Sequence, residues 1–133
     1  EFAYVSRVVG AHYVVNASGN LEFIDELREL YAFEPTEHEG VAIECGLSSL
    51  EYDPYHHRLY LMTSFETEVD NVERIGGYLW LMELDNLTTG EPPALIRGMD
   101  GTPFEFEHKA EGLAVLDHER DASEALYTLL HME

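Results

Sequence analysis

Cysteine, basic side chains and long apolar runs are what this sequence has least of. Cys45 is its only cysteine, so an internal disulfide and a cysteine-based zinc cluster are both excluded. Its neighbours Ile43, Glu44 and Gly46 predict a buried strand thiol. A nucleophilic role is not expected, because a nearby carboxylate raises the pKa of a thiol.

Lysine and arginine together number only 7, against 27 aspartates and glutamates, which gives a formal net charge of −20. Such a surface repels phosphate backbones and anionic lipids, so nucleic acid is not an expected partner. No apolar run is long enough for a membrane span, and membrane insertion is not expected either. The acidity is expected to keep the protein soluble, which is compatible with a secreted or periplasmic location; cations or basic proteins are the alternative explanation for the charge.

Short runs rich in valine and tyrosine alternate with glycine, proline, aspartate and asparagine along the chain. Runs of this kind predict β-strands joined by tight turns. The 133 residues, 45% of them hydrophobic, are enough for a single domain with a buried core. We therefore predict one all-β domain over residues 1–133.

The clearest pair of strands lies in the stretch Leu47–Phe65, on either side of an Asp53-Pro54 turn signal. A further strand is predicted at Tyr78–Leu84, after two consecutive glycines. Between them, the acidic segment Glu66–Arg74 is predicted to be a loop.

Two predictions compete for the segment from Asp25 to Phe33. Leu27, Leu30 and Tyr31 recur at helical spacing, which favours one short helix. The neighbouring strands favour a strand instead, and this is the prediction we adopt.

Parts of the stretch Leu47–Phe65 recur downstream, at Glu111–Asp117 and at Leu126–Leu130. The repetition divides the chain into units of approximately 1–36, 37–104 and 105–133. Antiparallel four-stranded units repeated around an axis are the blades of a β-propeller. We therefore predict a β-propeller-like fold that one chain leaves incomplete, with a β-sandwich as the alternative.

Three short segments carry a resemblance to a known group: HKAEGLA at 108–114, SLEYDP at 49–54 and RLYL at 58–61. They resemble blades of bacterial β-propellers of the esterase-like phytase and SdiA-regulated type. A closed propeller needs four or more blades of about 40–45 residues, which is more than this chain supplies. The chain is therefore expected to be part of a larger propeller or of an assembly.

The resemblance implies a channel in which carboxylates bind a divalent cation such as calcium. Glu39 and Glu111 each precede a glycine at the start of a predicted strand, and such positions in propellers can face the channel. Ser48 is the alternative counterpart of Glu111 by hairpin spacing. These carboxylates could also simply bind turn amides or face water.

A second candidate calcium site lies in the acidic segment, where Glu66, Glu68 and Asp70 place oxygen ligands at alternate positions. The segment has no EF-hand register, and a solvated acidic loop is the alternative. Among the histidines, His38 and His108 lie near the two Glu-Gly pairs and are candidates for general acid–base groups.

The adjacent pair His56-His57 is not expected to share a metal ion, because neighbouring strand residues point to opposite faces. No sequence pattern of a hydrolase nucleophile or a phosphate-binding loop occurs.

We expect an acidic β-propeller-like binding or scaffold module, associating with copies of itself or with a partner protein that completes the sheet. The alternative is a calcium-type ester or phosphoester hydrolase of the esterase-like phytase type. The sequence does not decide whether the protein is an enzyme.

Overall fold

The computed structural model describes residues 6–33, 45–115 and 129–132. These residues form an all-β structure of antiparallel strands with one short helix, and none of their sheets closes on itself. The prediction of an all-β chain is therefore confirmed.

A long, broken hairpin occupies the first described segment. Its strands are β1 (Ser6–Gly10), β2 (Tyr13–Val15), β3 (Leu21–Phe23) and β4 (Arg28–Phe33). β1 pairs with β4 at the base, and β2 pairs with β3 at the tip. β4 settles the two predictions for Asp25–Phe33: the strand is confirmed and the helix is wrong. Pairing with β1, together with the packing of Tyr31 against the core, outweighs the helical spacing of the leucines.

The central sheet is an antiparallel meander. Its strands are β5 (Gly46–Asp53), β6 (Arg58–Val69), β7 (Val72–Glu83), β8 (Ala94–Leu95) and β9 (Glu105–Phe106). β8 and β9 share the outer edge of β7, with Leu95 opposite Trp80 and Phe106 opposite Gly77. Together they act as one fourth strand that a loop interrupts. The helix α1 (Asn86–Thr89) lies between β7 and β8.

The β6–β7 hairpin is longer than the sequence predicted. Its ladder runs without interruption from the pair Arg58–Glu83 to the pair Val69–Val72, so the predicted loop Glu66–Arg74 is wrong. Asp70 and Asn71 alone make the turn, with φ angles of 54° and 60°. Positive φ at both central residues is the geometry of a type I′ turn, which asparagine and aspartate tolerate and which matches the twist of paired strands.

The core lies on one face of the central sheet. Leu61, Trp80 and Met82 are almost completely buried there, with Cys45 and Leu95 beside them. The indole nitrogen of Trp80 donates a hydrogen bond of 2.9 Å to the hydroxyl of Thr63, which is also fully buried. Tyr31 of β4 packs against this cluster, so the first hairpin covers this face.

The opposite face of the sheet is buried as well. Tyr60, Met62 and Leu79 alternate with the core residues along their strands and are 9% exposed or less. A second hairpin lies on this side, made of β10 (Gly112–Val115) and β11 (Leu129–Met132). The carboxylate of Glu51 accepts a 3.4 Å hydrogen bond from the amide of Val115. The central sheet is thus a middle layer, with a paired hairpin on either side.

Candidate functional site

An acidic cleft lies at the far end of the β6–β7 hairpin. It has a volume of about 450 Å³ and is lined by Glu66, Thr67, Glu68, Asn71 and Glu73. Period-two alternation along the paired strands places the carboxylates of Glu66, Glu68 and Glu73 on one face of the ladder.

Two of these carboxylates face each other directly. Glu68 and Glu73 are cross-strand partners in the ladder, where Cβ atoms stand about 4.5–5.5 Å apart. Like charges at such positions repel, and both residues are exposed, so water screens much of the repulsion. Asp70, which the sequence grouped with Glu66 and Glu68, lies in the turn and does not line the cleft.

Lys109 connects the cleft to one of the carboxylates selected from sequence. Its ammonium nitrogen lies 3.6 Å from an oxygen of Glu66 and 3.8 Å from an oxygen of Glu111. All three side chains are about half exposed or more, so these ion pairs contribute little to stability. They nevertheless place Glu66 and Glu111, which the sequence assigned to two different candidate sites, beside the same lysine ammonium group.

The other residues chosen from sequence are placed differently. Glu39 and His38 lie outside the described residues. Ser48, the alternative counterpart of Glu111, donates its hydroxyl to the carbonyl oxygen of Met62 at 3.1 Å, where β5 makes a bulge. His108 is exposed, in the segment before β10.

Within the described ranges, no group of three or more histidine, cysteine, aspartate or glutamate side chains has the arrangement of a metal site. The helical part of those same ranges is too short and too polar to cross a bilayer.

A buried carboxylate at the β5–β6 turn is a feature that the sequence did not single out as a site. Asp53 is fully buried and accepts hydrogen bonds from the amides of Tyr55 at 2.9 Å and His56 at 3.3 Å. Its second oxygen lies 3.1 Å from Nδ1 of His56, which is about one third exposed. The Asp53-Pro54 pair signalled the turn but not the burial, because burial comes from the covering layers.

The two adjacent histidines have separate partners. They lie in the turn and not in a strand, and His57 has a φ of 58°. His57 contacts the hydroxyl of Tyr52 at 3.3 Å and the carboxylate of Asp85 at 3.8 Å, whereas His56 is held by Asp53. The two imidazole rings therefore contact different carboxylates.

Cys45 is buried immediately before β5. Burial raises the pKa of its thiol to about 11, and a hydrogen bond with Thr63 offsets part of that rise. At neutral pH the thiol is therefore protonated and a poor nucleophile. The expectation of a buried, unreactive thiol agrees with this geometry, although desolvation is the main cause.

No family model, no curated protein and no solved structure matches this chain. The resemblance to esterase-like phytase propellers therefore stays a prediction from the sequence.

Proposed function

We propose that this protein is an acidic β-propeller-like binding or scaffold module, which associates with copies of itself or with a partner protein. The observation that supports the proposal is the layered arrangement around the central sheet. β5, β6, β7 and the combined β8–β9 edge follow one another as a four-stranded antiparallel meander, which is the strand order of a propeller blade.

The central parts of both faces of that meander are buried, as they are in a blade that lies between two neighbours. Among the described residues, each cover is a hairpin of paired strands and not a second four-stranded sheet. Hairpins of this size leave strand edges and apolar side chains exposed, and exposed edges and patches favour association.

Sedimentation velocity from about 5 to about 500 μM tests this proposal, a range that covers weak to moderate affinities. We expect the weight-average mass to rise above that of a 15.2 kDa monomer as the concentration increases. A monodisperse monomer over the whole range would contradict the proposal.

A cation-dependent ester or phosphoester hydrolase is the second candidate, and the contact of Lys109 with both Glu66 and Glu111 favours it. A divalent cation that displaced the ammonium group would meet both carboxylates and could polarise an ester oxygen.

Generic ester and phosphoester substrates, assayed with added calcium and with EDTA, test this candidate. Activity should disappear in EDTA and in Glu111→Gln, whereas Glu91→Gln in an exposed loop serves as the control. If neither activity nor thermal stability responds to calcium or EDTA, the hydrolase proposal is wrong.

A further inference from the structure

The tip of the first hairpin presents an uncovered apolar face. Tyr13 and Phe23 are cross-strand partners, as are Val15 and Leu21, and these four side chains share one side of the β2–β3 ladder. In chain order, the exposed fractions of Tyr13, Val15, Leu21 and Phe23 are 57%, 64%, 55% and 64%. We call these four side chains the arm face.

Local hydrogen bonds hold the β2–β3 end of the first hairpin, which carries the arm face. At the tip, the side-chain oxygen of Asn16 accepts hydrogen bonds from the amides of Ser18 and Asn20 at 3.0 and 2.9 Å. At the base, the carboxylate of Asp25 accepts from the amide of His12 at 2.7 Å and lies 2.6 Å from its Nδ1. The hydrogen bond with His12 lowers the pKa of Asp25.

These contacts fix the backbone and leave more than half of each arm-face residue exposed. A two-stranded hairpin by itself is marginally stable in water, since it buries too little apolar surface. A regular, aromatic-bearing hairpin with every strand residue exposed therefore gains most if a second surface packs on it.

We infer that the arm face is the surface on which a second copy of this chain docks, which rests on the proposed function and names its interface. Charge is the first argument. Two chains of net charge −20 repel one another, and the repulsion is least where neither presents a carboxylate. The arm face has none, because Glu22 lies on the other side of the ladder and accepts a 2.6 Å hydrogen bond from Asn16.

A basic partner protein would instead be attracted to the carboxylate-rich surfaces, where charge complementarity is available. The neutral arm face suits an identical neutral face. In a two-fold dimer each copy contributes the same patch. The aromatic pair Tyr13–Phe23 and the aliphatic pair Val15–Leu21 of one copy would then pack on the same two pairs of the other. The two faces would pack at the usual sheet separation of about 10 Å.

The available area is the second argument. At the observed exposures, the arm face offers roughly 450 Å² per copy. The total for two copies is then about 900 Å², which falls in the range of weak, reversible interfaces. We therefore expect a reversible dimer with a dissociation constant in the micromolar range.

The experiment combines sedimentation equilibrium with a matched pair of variants. The double variant Tyr13→Thr/Phe23→Thr removes the aromatic pair but keeps strand-forming residues, and it should raise the dissociation constant at least about tenfold. Val14→Thr makes the same kind of change on the opposite side of the ladder and should leave the constant within about twofold.

Hydrogen exchange of the wild-type protein provides a second measurement that needs no variant. Amides of residues 12–24 should exchange more slowly at high than at low protein concentration, because dimerisation buries them. Slower exchange confined to other segments would overturn the inference even if the double variant failed to fold.

The outcomes separate this inference from the proposed function. A wild-type protein that associates as strongly as its double variant uses another surface, which overturns the arm-face interface and leaves the scaffold proposal intact. A wild-type protein that stays monomeric contradicts both. In the remaining outcome, the protein stays monomeric and binds neutral phosphatidylcholine vesicles in a flotation assay, with residues 12–24 in contact with the vesicle. That result would assign the arm face to a lipid surface and would also overturn the inference.

Discussion

At the scale of single residues, the Asp53 carboxylate is the polar group on which the central β5–β6 turn depends. It is fully buried and accepts hydrogen bonds from the backbone amides of Tyr55 and His56. A buried donor that loses its partner incurs the full cost of its desolvation.

We predict that Asp53→Ala lowers the free energy of unfolding by about 2 kcal/mol, because the buried hydrogen bonds from the amides of Tyr55 and His56 to the carboxylate are lost. Urea titration followed by circular dichroism measures the change. Asp100→Ala is the matched control: Asp100 accepts from the amide of Thr102 at 3.0 Å in a similar turn, but it is exposed, so water replaces it. Equal losses in the two variants would show that burial of Asp53 is not what matters.

The residue types alone predicted some of the environments of single residues. A single cysteine beside apolar neighbours indicated a buried thiol, and the structure places Cys45 in the core. The contact between Asp53 and His56 was not predictable, because Asp-Pro pairs mark turns whether or not tertiary layers bury them. The contact of Lys109 with Glu66 depends in the same way on how segments far apart in sequence pack together.

At the scale of elements, the β6–β7 hairpin carries the acidic cleft because its two strands stay paired to the turn. In the segment predicted as a loop, charged and uncharged residues alternate with period two: Glu66 and Glu68 alternate with Thr67 and Val69. This alternation is the sequence signal for a strand. The segment was nevertheless predicted as a loop because most of its residues are charged. The edge strand β9 lies within the segment 104–107, where phenylalanine and glutamate alternate in the same way.

We predict that Glu73→Lys stabilises the protein by about 0.5 kcal/mol, because it replaces a repulsive cross-strand pair with an attractive one opposite Glu68. Differential scanning calorimetry at low salt measures the rise in thermal midpoint. Glu91→Lys changes the net charge equally at an exposed loop position and isolates the pairwise effect. The prediction fails if both variants raise the midpoint by the same amount.

At the scale of the whole molecule, the net charge of −20 opposes the compact state. Folding brings the excess negative charge of the chain into a smaller volume, and the resulting repulsion weakens as salt screens it. This is a property of the entire sequence and of no single pair.

We predict that the thermal midpoint rises when sodium chloride increases from about 0.05 to about 0.5 M, a change that shortens the screening length from roughly 14 to 4 Å. Potassium chloride at the same concentrations should give the same rise, since screening does not depend on ion identity. A midpoint that stays constant or falls would show that attractive ion pairs outweigh the repulsion.

The sequence predicted the all-β class and the central hairpin, since turn residues and alternation are local signals. The layering of that sheet between two hairpins depends on contacts such as Tyr31 with the core and Glu51 with Val115, which connect distant segments. Local sequence patterns do not predict such contacts between distant segments. The acidity indicated solubility, but the apolar arm face became visible only once strand register placed Tyr13 opposite Phe23.

The loop that interrupts the fourth strand is a position where the chain can accept additional residues. The loop between β8 and β9 is closed by its own hydrogen bonds, from the amide of Phe104 to the oxygen of Ile96 at 2.9 Å and from Gly98 to Thr102 at 2.8 Å. Met99 at its tip is fully exposed. Residues added beyond that closure would leave the strand ladder intact, so the tip is the natural position for an epitope tag or a graft of foreign sequence.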